Sequence, residues 1–309
     1  MKACIDIGGT KVAVSLNAGA GLELEARRNE PTAKTGNNDA LAVQVMRMVD
    51  EACAEIGADP QSITRAGVSS CGPFVMRDGL IEVAAPNICG GLAGPLRGLP
   101  NDWQTALLEA PLRERFEEVR VENDCIAALE AERRWGALQG FDHCAYVTWS
   151  TGIGVGLCVD GRILRGKNGN AGHAGHMFVS DDDEALCGCG NVGDVEALVG
   201  GNAMLRRFGC DAAVLFRQAA AGEALAKARV SDLCRVMGRA LYNLVTTLDL
   251  NRISLGGSVF WHNQAELLPR LQQEVSRRFP ALTCDCELVP AGLGNKVGDY
   301  AALALLASP

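Results

Sequence analysis

The pattern of two strands joined by a glycine turn occurs twice in this chain, and it constrains the fold more than any other feature. The first copy covers residues 4–16 and the second covers residues 146–158. In each copy, glycines separate two apolar runs of strand length, which is typical of a β-hairpin. Further turns follow at Asn17–Gly19 and Asp160–Gly161. Two such hairpins predict a duplicated α/β domain with a cleft between the copies, although unrelated hairpins can share this pattern.

Helical periodicity separates the two hairpins and also follows the second one. Apolar residues at helical spacing predict a helix over residues 41–52, ended by Gly57. A longer apolar stripe predicts a helix over residues 233–248 with Ser231 as its N-cap, and residues 264–277 predict another helix. Strands that alternate with helices indicate an α/β architecture.

Composition limits the class of protein. The 309 residues, 48% of them hydrophobic and 21% charged, are enough for two domains with sizeable cores. A formal net charge of −8 argues against a broad nucleic-acid-binding face, so we expect no nucleic-acid partner. Asp6 interrupts any apolar leader and no apolar run reaches membrane-span length, so we expect a cytoplasmic protein without membrane association. Its 13 cysteines are then expected to be reduced, most of them buried as small hydrophobic side chains.

Three glycine turns at predicted strand ends are candidate phosphate-binding elements, because glycine lets backbone N–H groups approach a phosphate. The candidate residues are Asp6, Gly8, Gly9, Thr10 and Lys11 in the first turn, Thr151, Gly152 and Gly154 in the second, and Gly256 and Gly257 in the third. Asp6 is suited to hold Mg²⁺ through water. The turns match neither a P-loop nor a dinucleotide-binding GxGxxG motif. The alternative is that a chain with 36 glycines has many turns that bind nothing.

Asn123 and Asp124 stand where a predicted strand meets a predicted helix. Phosphoryl transfer to an alcohol needs a carboxylate within reach of the hydroxyl proton, and Asp124 is a candidate for that role. The amide of Asn123 can hold neighbouring hydroxyl groups. The alternative is that Asp124 serves only as a helix N-cap.

A glycine-rich segment brings together metal-binding residue types. His176, Cys187 and Cys189 predict part of a zinc site, because thiolate and imidazole groups suit Zn²⁺. A chance loop is the alternative. Cys284 and Cys286 have no histidine nearby in the sequence, and they are expected to be ordinary strand cysteines.

The order of the motifs along the chain resembles that of the ROK family, which is named for repressors, open reading frames and kinases. The motifs are DIGGT at 6–10, END at 122–124, STGIG at 150–154, AGHAGH at 171–176, CGCGNVGDVE at 187–196 and LGGS at 255–258. The resemblance covers nearly the whole chain. Each motif alone is weak, whereas the ordered set is specific.

The resemblance implies a two-domain actin-like or hexokinase-like α/β fold, a ribonuclease H-like duplication with a central cleft. It implies a first domain over residues 1–121, completed by a C-terminal helix at 296–309, and a second domain over residues 122–295. It also implies an ATP-dependent kinase that uses Mg²⁺ and phosphorylates the 6-hydroxyl of a glucose-like hexose. Because family members often form dimers, a homodimer or higher homo-oligomer is expected.

The resemblance further implies a role for several side chains. Asp124 would be the general base, and Asn123, His176 and Glu196 match sugar-contacting positions. His176 would also ligate a structural Zn²⁺ with Cys187 and Cys189.

Two positions depart from the usual family pattern. His173 stands where the family usually has a glutamate that contacts the sugar, and Asp194 stands where it usually has a third cysteine. Aspartate can ligate zinc, so a site of His176, Cys187, Cys189 and Asp194 is still expected. His173 replaces a charged acceptor by a group that can donate a hydrogen bond. An amino or N-acylated hexose is therefore an alternative substrate, such as 3-amino-3-deoxyglucose (kanosamine), N-acetylmannosamine or N-acetylglucosamine.

Two other classes of function stay open at this point. The first is a sugar-responsive transcription factor, but those family members carry an N-terminal helix-turn-helix that is not found before the first strand here. The second is a catalytically silent sugar sensor or metal-binding protein, which His173 and Asp194 motivate.

Overall fold

A computed structural model of the chain describes residues 1–19, 21–93, 98–181 and 184–307. The described chain divides into two compact units. The first comprises Met1–Ala131, Arg165–Ala171 and the chain from Gly298 onward, and the second comprises Glu132–Leu164 and Gly172–Val297. The expected domain boundary after residue 121 stays a prediction. The last two residues of the helix expected at 296–309 lie outside the described residues.

Strands and helices alternate along the chain, as the sequence periodicity predicts. The strands are β1 Lys2–Ile7, β2 Lys11–Asn17, β3 Glu25–Pro31, β4 Arg65–Ser70, β5 Phe74–Arg77, β6 Leu80–Val83, β7 Ala106–Leu107, β8 Glu118–Asn123, β9 Cys144–Trp149, β10 Ile153–Val159, β11 Arg162–Ile163, β12 Arg252–Gly256 and β13 Glu287–Pro290. The helices are α1 Ala40–Ile56, α2 Gly90–Ala93, α3 Glu109–Arg115, α4 Asp124–Trp135, α5 Val195–Val199, α6 Gly201–Phe208, α7 Ala212–Ala220, α8 Ala224–Leu248, α9 Ser258–Ser276, α10 Pro280–Thr283 and α11 Val297–Ala304. Short 3-10 turns lie at Pro60–Ser62, Ala174–His176 and Gly294–Lys296.

The first unit is built on a sheet with the strand order β3-β2-β1-β4-β8 among the described residues. Strands β1 and β2 form the first predicted hairpin, whereas β1, β4 and β8 run parallel. Ile7, Ser70 and Asn123 stand side by side in the register of these parallel strands. The strands therefore end together, and the residues that follow them meet at one edge of the sheet. Strands β5, β6 and β7 form a separate small antiparallel sheet.

The second unit repeats this arrangement, with the strand order β11-β10-β9-β12-β13 in the part of the chain that is described. Strands β9 and β10 form the second predicted hairpin, and β12 runs parallel to both β9 and β13. The same sequence of antiparallel and parallel pairings thus occurs in both units. This confirms the duplicated α/β architecture that the two hairpins predict.

Two helix starts differ from those expected from sequence. Helix α8 begins at Ala224, with Glu223 before it, so the prediction of Ser231 as an N-cap is wrong. The residues before Ser231 are mostly alanine, leucine, lysine and arginine, which favour a helix and extend it backward. Helix α9 begins directly after the third glycine turn, at Ser258. Its backbone is non-helical at Asn263, so the periodicity that indicated a start at 264 marks the second part of this helix.

The last helix packs very closely on the first unit's sheet. Gly67 in β4 faces α11, and a methyl group at Gly67 would lie 2.1 Å from the backbone oxygen of Ala302. Arg65 donates a hydrogen bond of 3.0 Å to the backbone oxygen of Leu306. Glycine at position 67 therefore allows the helix backbone to approach the strand directly.

Most cysteines are buried, as expected. The buried group includes Cys4, Cys53, Cys125, Cys144, Cys158 and Cys234, whereas Cys71 is partly exposed and Cys189 and Cys284 are exposed. Burial raises the pKa of the Cys4 and Cys144 thiols to about 12, so these groups stay protonated. Cys284 and Cys286 lie in the turn between α10 and β13, so the prediction of strand cysteines is wrong for both. None of the described helices is long and apolar enough to cross a membrane.

Candidate functional site

Two carboxylates lie at the same edge of the first unit's sheet. Asp6 is in β1, one residue before its end, and Asp124 begins α4 directly after β8. Burial first, and the negative charge of Asp124 second, raise the pKa of Asp6 to about 6. Ser69 donates a hydrogen bond of 3.3 Å to Asp6 Oδ1. This hydrogen bond and the positive charge of Lys11 both act to lower the pKa of Asp6. Two carboxylates, one of which raises the pKa of the other in this way, favour a bound cation nearby.

Asn123 and Asp124 share one backbone donor. The N–H of Cys125 lies 3.0 Å from Asn123 Oδ1 and 2.8 Å from Asp124 Oδ1. Asn123 is also buried. The start of α4 thus fixes both side chains at the strand end, where the sequence places the general-base candidate.

The first glycine turn is closed by its own backbone and by a neighbouring hydroxyl. The N–H of Gly8 donates to the carbonyl of Lys11 at 2.8 Å, and Thr32 Oγ1 donates to the carbonyl of Gly8 at 2.7 Å. Thr10 and Lys11 are exposed. The turn therefore has a fixed backbone, with Thr10 and Lys11 turned to its accessible side.

Asn87 packs against this turn, and sequence reasoning missed it. A methyl group at Gly9 would lie 1.9 Å from Asn87 Nδ2, so only glycine leaves room for the amide. Asn87 Oδ1 is buried and accepts no hydrogen bond from any described residue. The sequence shows only an asparagine after Pro86, which is the ordinary signature of a turn. A buried acceptor without a donor indicates a place for a donor from a bound molecule.

In the second unit, the second and third glycine turns lie together. Gly256 stands opposite Thr148 in the sheet, and a methyl group at Gly257 would lie 2.5 Å from the backbone oxygen of Trp149. Gly257 has a φ of +86°, which also favours glycine. Gly154 lies within strand β10, in the hairpin ladder rather than in the turn.

A cavity of about 890 Å³ opens beside these turns in the second unit. Its lining includes Thr151, Gly201, Phe216, Arg217, Ser258 and Trp261. The volume falls within the range of small-molecule and cofactor sites. Thr151 from the second turn and Ser258 from the third thus border one space that can hold a nucleotide.

The predicted metal ligands form a compact cluster in the second unit. The ligand atoms of His176, Cys187, Cys189 and Asp194 all lie within 4.8 Å of one another. His176 Nδ1 is 3.1 Å from Asp194 Oδ2, 3.7 Å from Cys187 Sγ and 3.6 Å from Cys189 Sγ. With zinc–sulfur bonds of about 2.3 Å and zinc–nitrogen or zinc–oxygen bonds of about 2.0–2.1 Å, the edges of a tetrahedral site measure roughly 3.3–3.8 Å. The residues present therefore fit Zn²⁺.

Asp194 has a second task besides its place in the cluster. Its Oδ1 accepts the N–H of Ala197 at 2.7 Å and so caps helix α5. Burial opposes ionisation of Asp194, but the hydrogen bonds from His176 and Ala197 hold its pKa below the usual value. The hydrogen bond with Asp194 raises the pKa of His176. Both pKa shifts favour the charged forms of the pair, a carboxylate beside an imidazolium.

The segment that carries the metal ligands exposes two large apolar side chains. Phe178 is 66% exposed and Leu186 is 54% exposed. The segment is joined by isolated bridges, between Phe178 and Asp194 and between Leu186 and Val192, rather than by full strands. Further backbone hydrogen bonds close the segment, among them those from the N–H of Gly193 to the carbonyl of Ala185 and from the N–H of Val195 to the carbonyl of Met177.

His173 and Glu196 lie on either side of this cluster along the chain, and the structure places both near it. The rings of His173 and His176 are stacked, with centroids 6.2 Å apart. Glu196 Oε2 accepts the N–H of Ile153 at 2.9 Å, and Glu196 Oε1 lies 3.7 Å from Cys187 Sγ. The sugar-site candidates of the second unit are therefore grouped around the metal cluster.

Comparison with known proteins identifies relatives of the whole chain. A sequence model of the ROK family matches residues 2–308. The chain is 33% identical over 266 residues to the N-acetylmannosamine kinase of Salmonella newport, with 82% of each chain covered. It is similar to the crystal structure of ROK hexokinase from Thermus thermophilus, with 30% identity, a TM-score of 0.76, and 98% and 96% of the two chains covered. It is also similar to a ROK family glucokinase from Streptomyces griseus in complex with glucose and AMPPNP, with 25% identity, a TM-score of 0.68 and 97% of each chain covered.

Proposed function

Because the chain belongs to the ROK family, we propose that it transfers the γ-phosphate of ATP to the 6-hydroxyl of an N-acylated hexosamine. N-acetylmannosamine is the first substrate to test, since the chain is 33% identical to a kinase of that name. The observation that carries the kinase proposal is the pair of carboxylates, Asp6 and Asp124, at the ends of parallel strands. A glucose-like hexose is the second candidate, supported by the similarity to a hexokinase and to a glucokinase.

Asp124 has the central role in this mechanism. Its carboxylate accepts the proton of the 6-hydroxyl as the oxygen attacks the γ-phosphate. Asn123 orients the neighbouring hydroxyl groups. Glycine-turn N–H groups and the hydroxyl of Thr10 donate to the phosphate oxygens. Mg²⁺, which Asp6 would hold through water, supplies neutralisation of phosphate charge when it is bound.

His173 favours an acylated amino sugar over glucose. An acyl group brings a carbonyl oxygen, which accepts hydrogen bonds and cannot donate them. A glutamate at this position would set a negative acceptor against that carbonyl, whereas an imidazole can donate to it. The stacking of His173 on His176 holds its ring near the other sugar-site candidates, His176 and Glu196.

Asn87 supplies a further acceptor beside the first glycine turn. A phosphate group of ATP has no donor for the buried Oδ1 of Asn87, whereas a sugar hydroxyl or a Mg²⁺-bound water has one. We therefore assign Asn87 to the binding of one of these two groups.

A structural Zn²⁺ would be held by His176, Cys187, Cys189 and Asp194, whose spacing suits a tetrahedral site. When bound, the ion supplies a fixed geometry for the segment between Met177 and Val195. His176 would bind the ion through Nδ1, and the ring then presents Nε2 on its opposite side to the sugar.

The proposal is tested by ATP consumption over a panel of glucose, mannose, their N-acetyl forms and 3-amino-3-deoxyglucose. We expect the highest kcat/KM with N-acetylmannosamine. Asp124→Asn should abolish turnover while sugar binding survives, and Asp285→Asn, at an exposed position in the second unit, is the matched control. Turnover retained in Asp124→Asn would remove Asp124 as the base. No turnover with any sugar, with binding intact, would favour a silent sugar-binding protein.

The choice between the two substrates has its own test. His173→Glu should shift the ratio of kcat/KM toward glucose and away from N-acetylmannosamine by about tenfold or more, because a donor to the carbonyl is lost and a charged acceptor for hydroxyl groups is gained. An unchanged ratio would show that His173 does not select the sugar.

Two further expectations belong with this proposal. A homodimer or higher homo-oligomer is expected from the family, and light scattering after size-exclusion chromatography measures it. A role in transcription is not favoured, because the net charge of −8 opposes binding to nucleic acid. A gel shift with genomic fragments would revive that alternative.

A further inference from the structure

Glu196 lies at a junction between two elements of the second unit. Its Oε2 accepts the backbone N–H of Ile153, at the end of the second glycine turn, with a distance of 2.9 Å. Its Oε1 lies 3.7 Å from Cys187 Sγ in the metal cluster. The two oxygens of one carboxylate thus face the phosphate-turn candidate and the metal cluster at the same time.

The turn is shaped to accept this carboxylate. A methyl group at Gly152 would lie 2.3 Å from Glu196 Oε2, so the glycine is required for the carboxylate to sit against the turn. The chain after Glu196 holds the other side of the turn. The N–H of Gly201 donates to the carbonyl of Ser150 at 2.8 Å, and the N–H of Asn202 donates to the carbonyl of Thr151 at 3.1 Å.

These bonds determine which backbone donors remain for a ligand. The N–H of Ser150 donates to the carbonyl of Gly152, and the N–H of Ile153 donates to Glu196. Within the described residues, the N–H groups of Thr151 and Gly152 donate to no protein acceptor. Two successive N–H groups in a turn form an anion-binding concavity, and here they lie next to the cavity that Thr151 lines.

Helix α5 connects the metal cluster to the second glycine turn. Asp194 caps helix α5 through the N–H of Ala197, and Glu196 lies in the first turn of that helix. The position of Glu196 is therefore set from the metal side by Asp194, which caps its helix. A change in the cluster reaches the turn through a single carboxylate.

We propose that Glu196 is a positioning residue for the nucleotide, which fixes the turn at residues 150–153 and couples it to the metal cluster. This inference rests on the proposed function, in which the turn binds the phosphates of ATP. It adds to the sugar contact expected of Glu196 a second role, toward the other substrate. Loss of the carboxylate then weakens nucleotide binding even when no sugar is present.

The test is calorimetric binding of AMPPNP with Mg²⁺ and without sugar, on the full-length protein. We expect Glu196→Ala to weaken AMPPNP binding about tenfold, because an N–H to carboxylate hydrogen bond is lost. Glu196→Gln keeps an acceptor oxygen for Ile153 and should recover most of the affinity. Glu184→Ala, a change to an exposed carboxylate on the same segment, is the matched control and should bind like the parent protein. A sample that is treated with a chelator and then returned to chelator-free Mg²⁺ buffer should lose affinity in the same direction as Glu196→Ala.

Hydrogen exchange gives a second readout that a sugar contact alone would not move. Glu196→Ala should speed exchange in the peptide that contains Ile153, and circular dichroism shows whether the variant is folded. If the parent protein binds AMPPNP and Glu196→Ala binds it within twofold, with unchanged exchange at Ile153, the positioning role is wrong. If the parent protein itself does not bind AMPPNP, the proposed function fails, and this inference fails with it.

Discussion

Replacing Gly67 by alanine should destabilise the first unit strongly, although it adds a single methyl group. That group would lie 2.1 Å from the backbone oxygen of Ala302 and 3.1 Å from Leu306 Cγ. An ordinary contact requires a retreat of about 1 Å by the backbone of α11, since a carbonyl cannot rotate away as a side chain can. Overpacking of this kind costs roughly 3 kcal/mol. For a unit of this size, that loss lowers the thermal midpoint by roughly 6–12 °C.

The matched control is Gly298→Ala on the helix itself. No atom lies within 4 Å of the position that its methyl group would take. Alanine is favoured over glycine in a helix by up to about 1 kcal/mol, so this variant should unfold at the same temperature as the parent or slightly above it. Differential scanning calorimetry measures the thermal midpoints of the parent protein, Gly67→Ala and Gly298→Ala. A midpoint for Gly67→Ala within 2 °C of the parent would refute the close packing of α11 on β4.

Three other changes test the metal cluster and the first glycine turn. Zinc should protect Cys187 and Cys189 from labelling by maleimide, while the exposed Cys284 reacts equally with and without metal. Mass spectrometry of the labelled peptides measures this protection. Equal labelling of Cys189 in both samples would argue against the site. Asp194→Cys should raise zinc affinity tenfold or more in a chelator competition, because thiolate is the softer ligand. Loss of the helix cap should lower the free energy of unfolding by about 1 kcal/mol. Unchanged zinc affinity would exclude Asp194 as a ligand. If Asn87 contacts a sugar hydroxyl, Asn87→Ala should raise the KM for the sugar by about tenfold. If Asn87 contacts a Mg²⁺-bound water, the same variant should raise the KM for Mg²⁺ by about tenfold. Unchanged KM values for both would remove Asn87 from the site.

Much of the architecture follows from local sequence patterns. The hairpins, the strand before Asp124 and the third glycine turn depend on residues that are neighbours in the chain, so periodicity and glycine position predict them. Residue types in one short segment predict His176, Cys187 and Cys189 as metal ligands, whereas Asp194 is predicted only through the resemblance to the family; the structure brings all four together. Local patterns failed at Ser231, where helix-forming residues extend α8 past a favourable cap.

The missed features of the site involve contacts between distant segments. Asn87 is assigned a role only because it meets Gly9, and a turn asparagine in the sequence does not reveal such a partner. Glu196 lies in helix α5, and its contact with the second glycine turn depends on Ile153 in the β9–β10 hairpin. Single-sequence reasoning identifies residue types that suit a reaction, but it does not show which backbone groups they meet.

The exposed segment around the metal cluster has a consequence for the proteolytic turnover of the protein in the cell. Phe178 and Leu186 lie largely open to solvent, so the apolar burial of this segment is confined to inner residues such as Ala185 and Val195. Proteases cleave chains where they open, and a segment that binds a metal opens more often when that metal is removed. If the cluster holds zinc as proposed, the abundance of the protein should follow the zinc supply of its host. Zinc starvation would in this way reduce the proposed sugar phosphorylation without any change in gene expression.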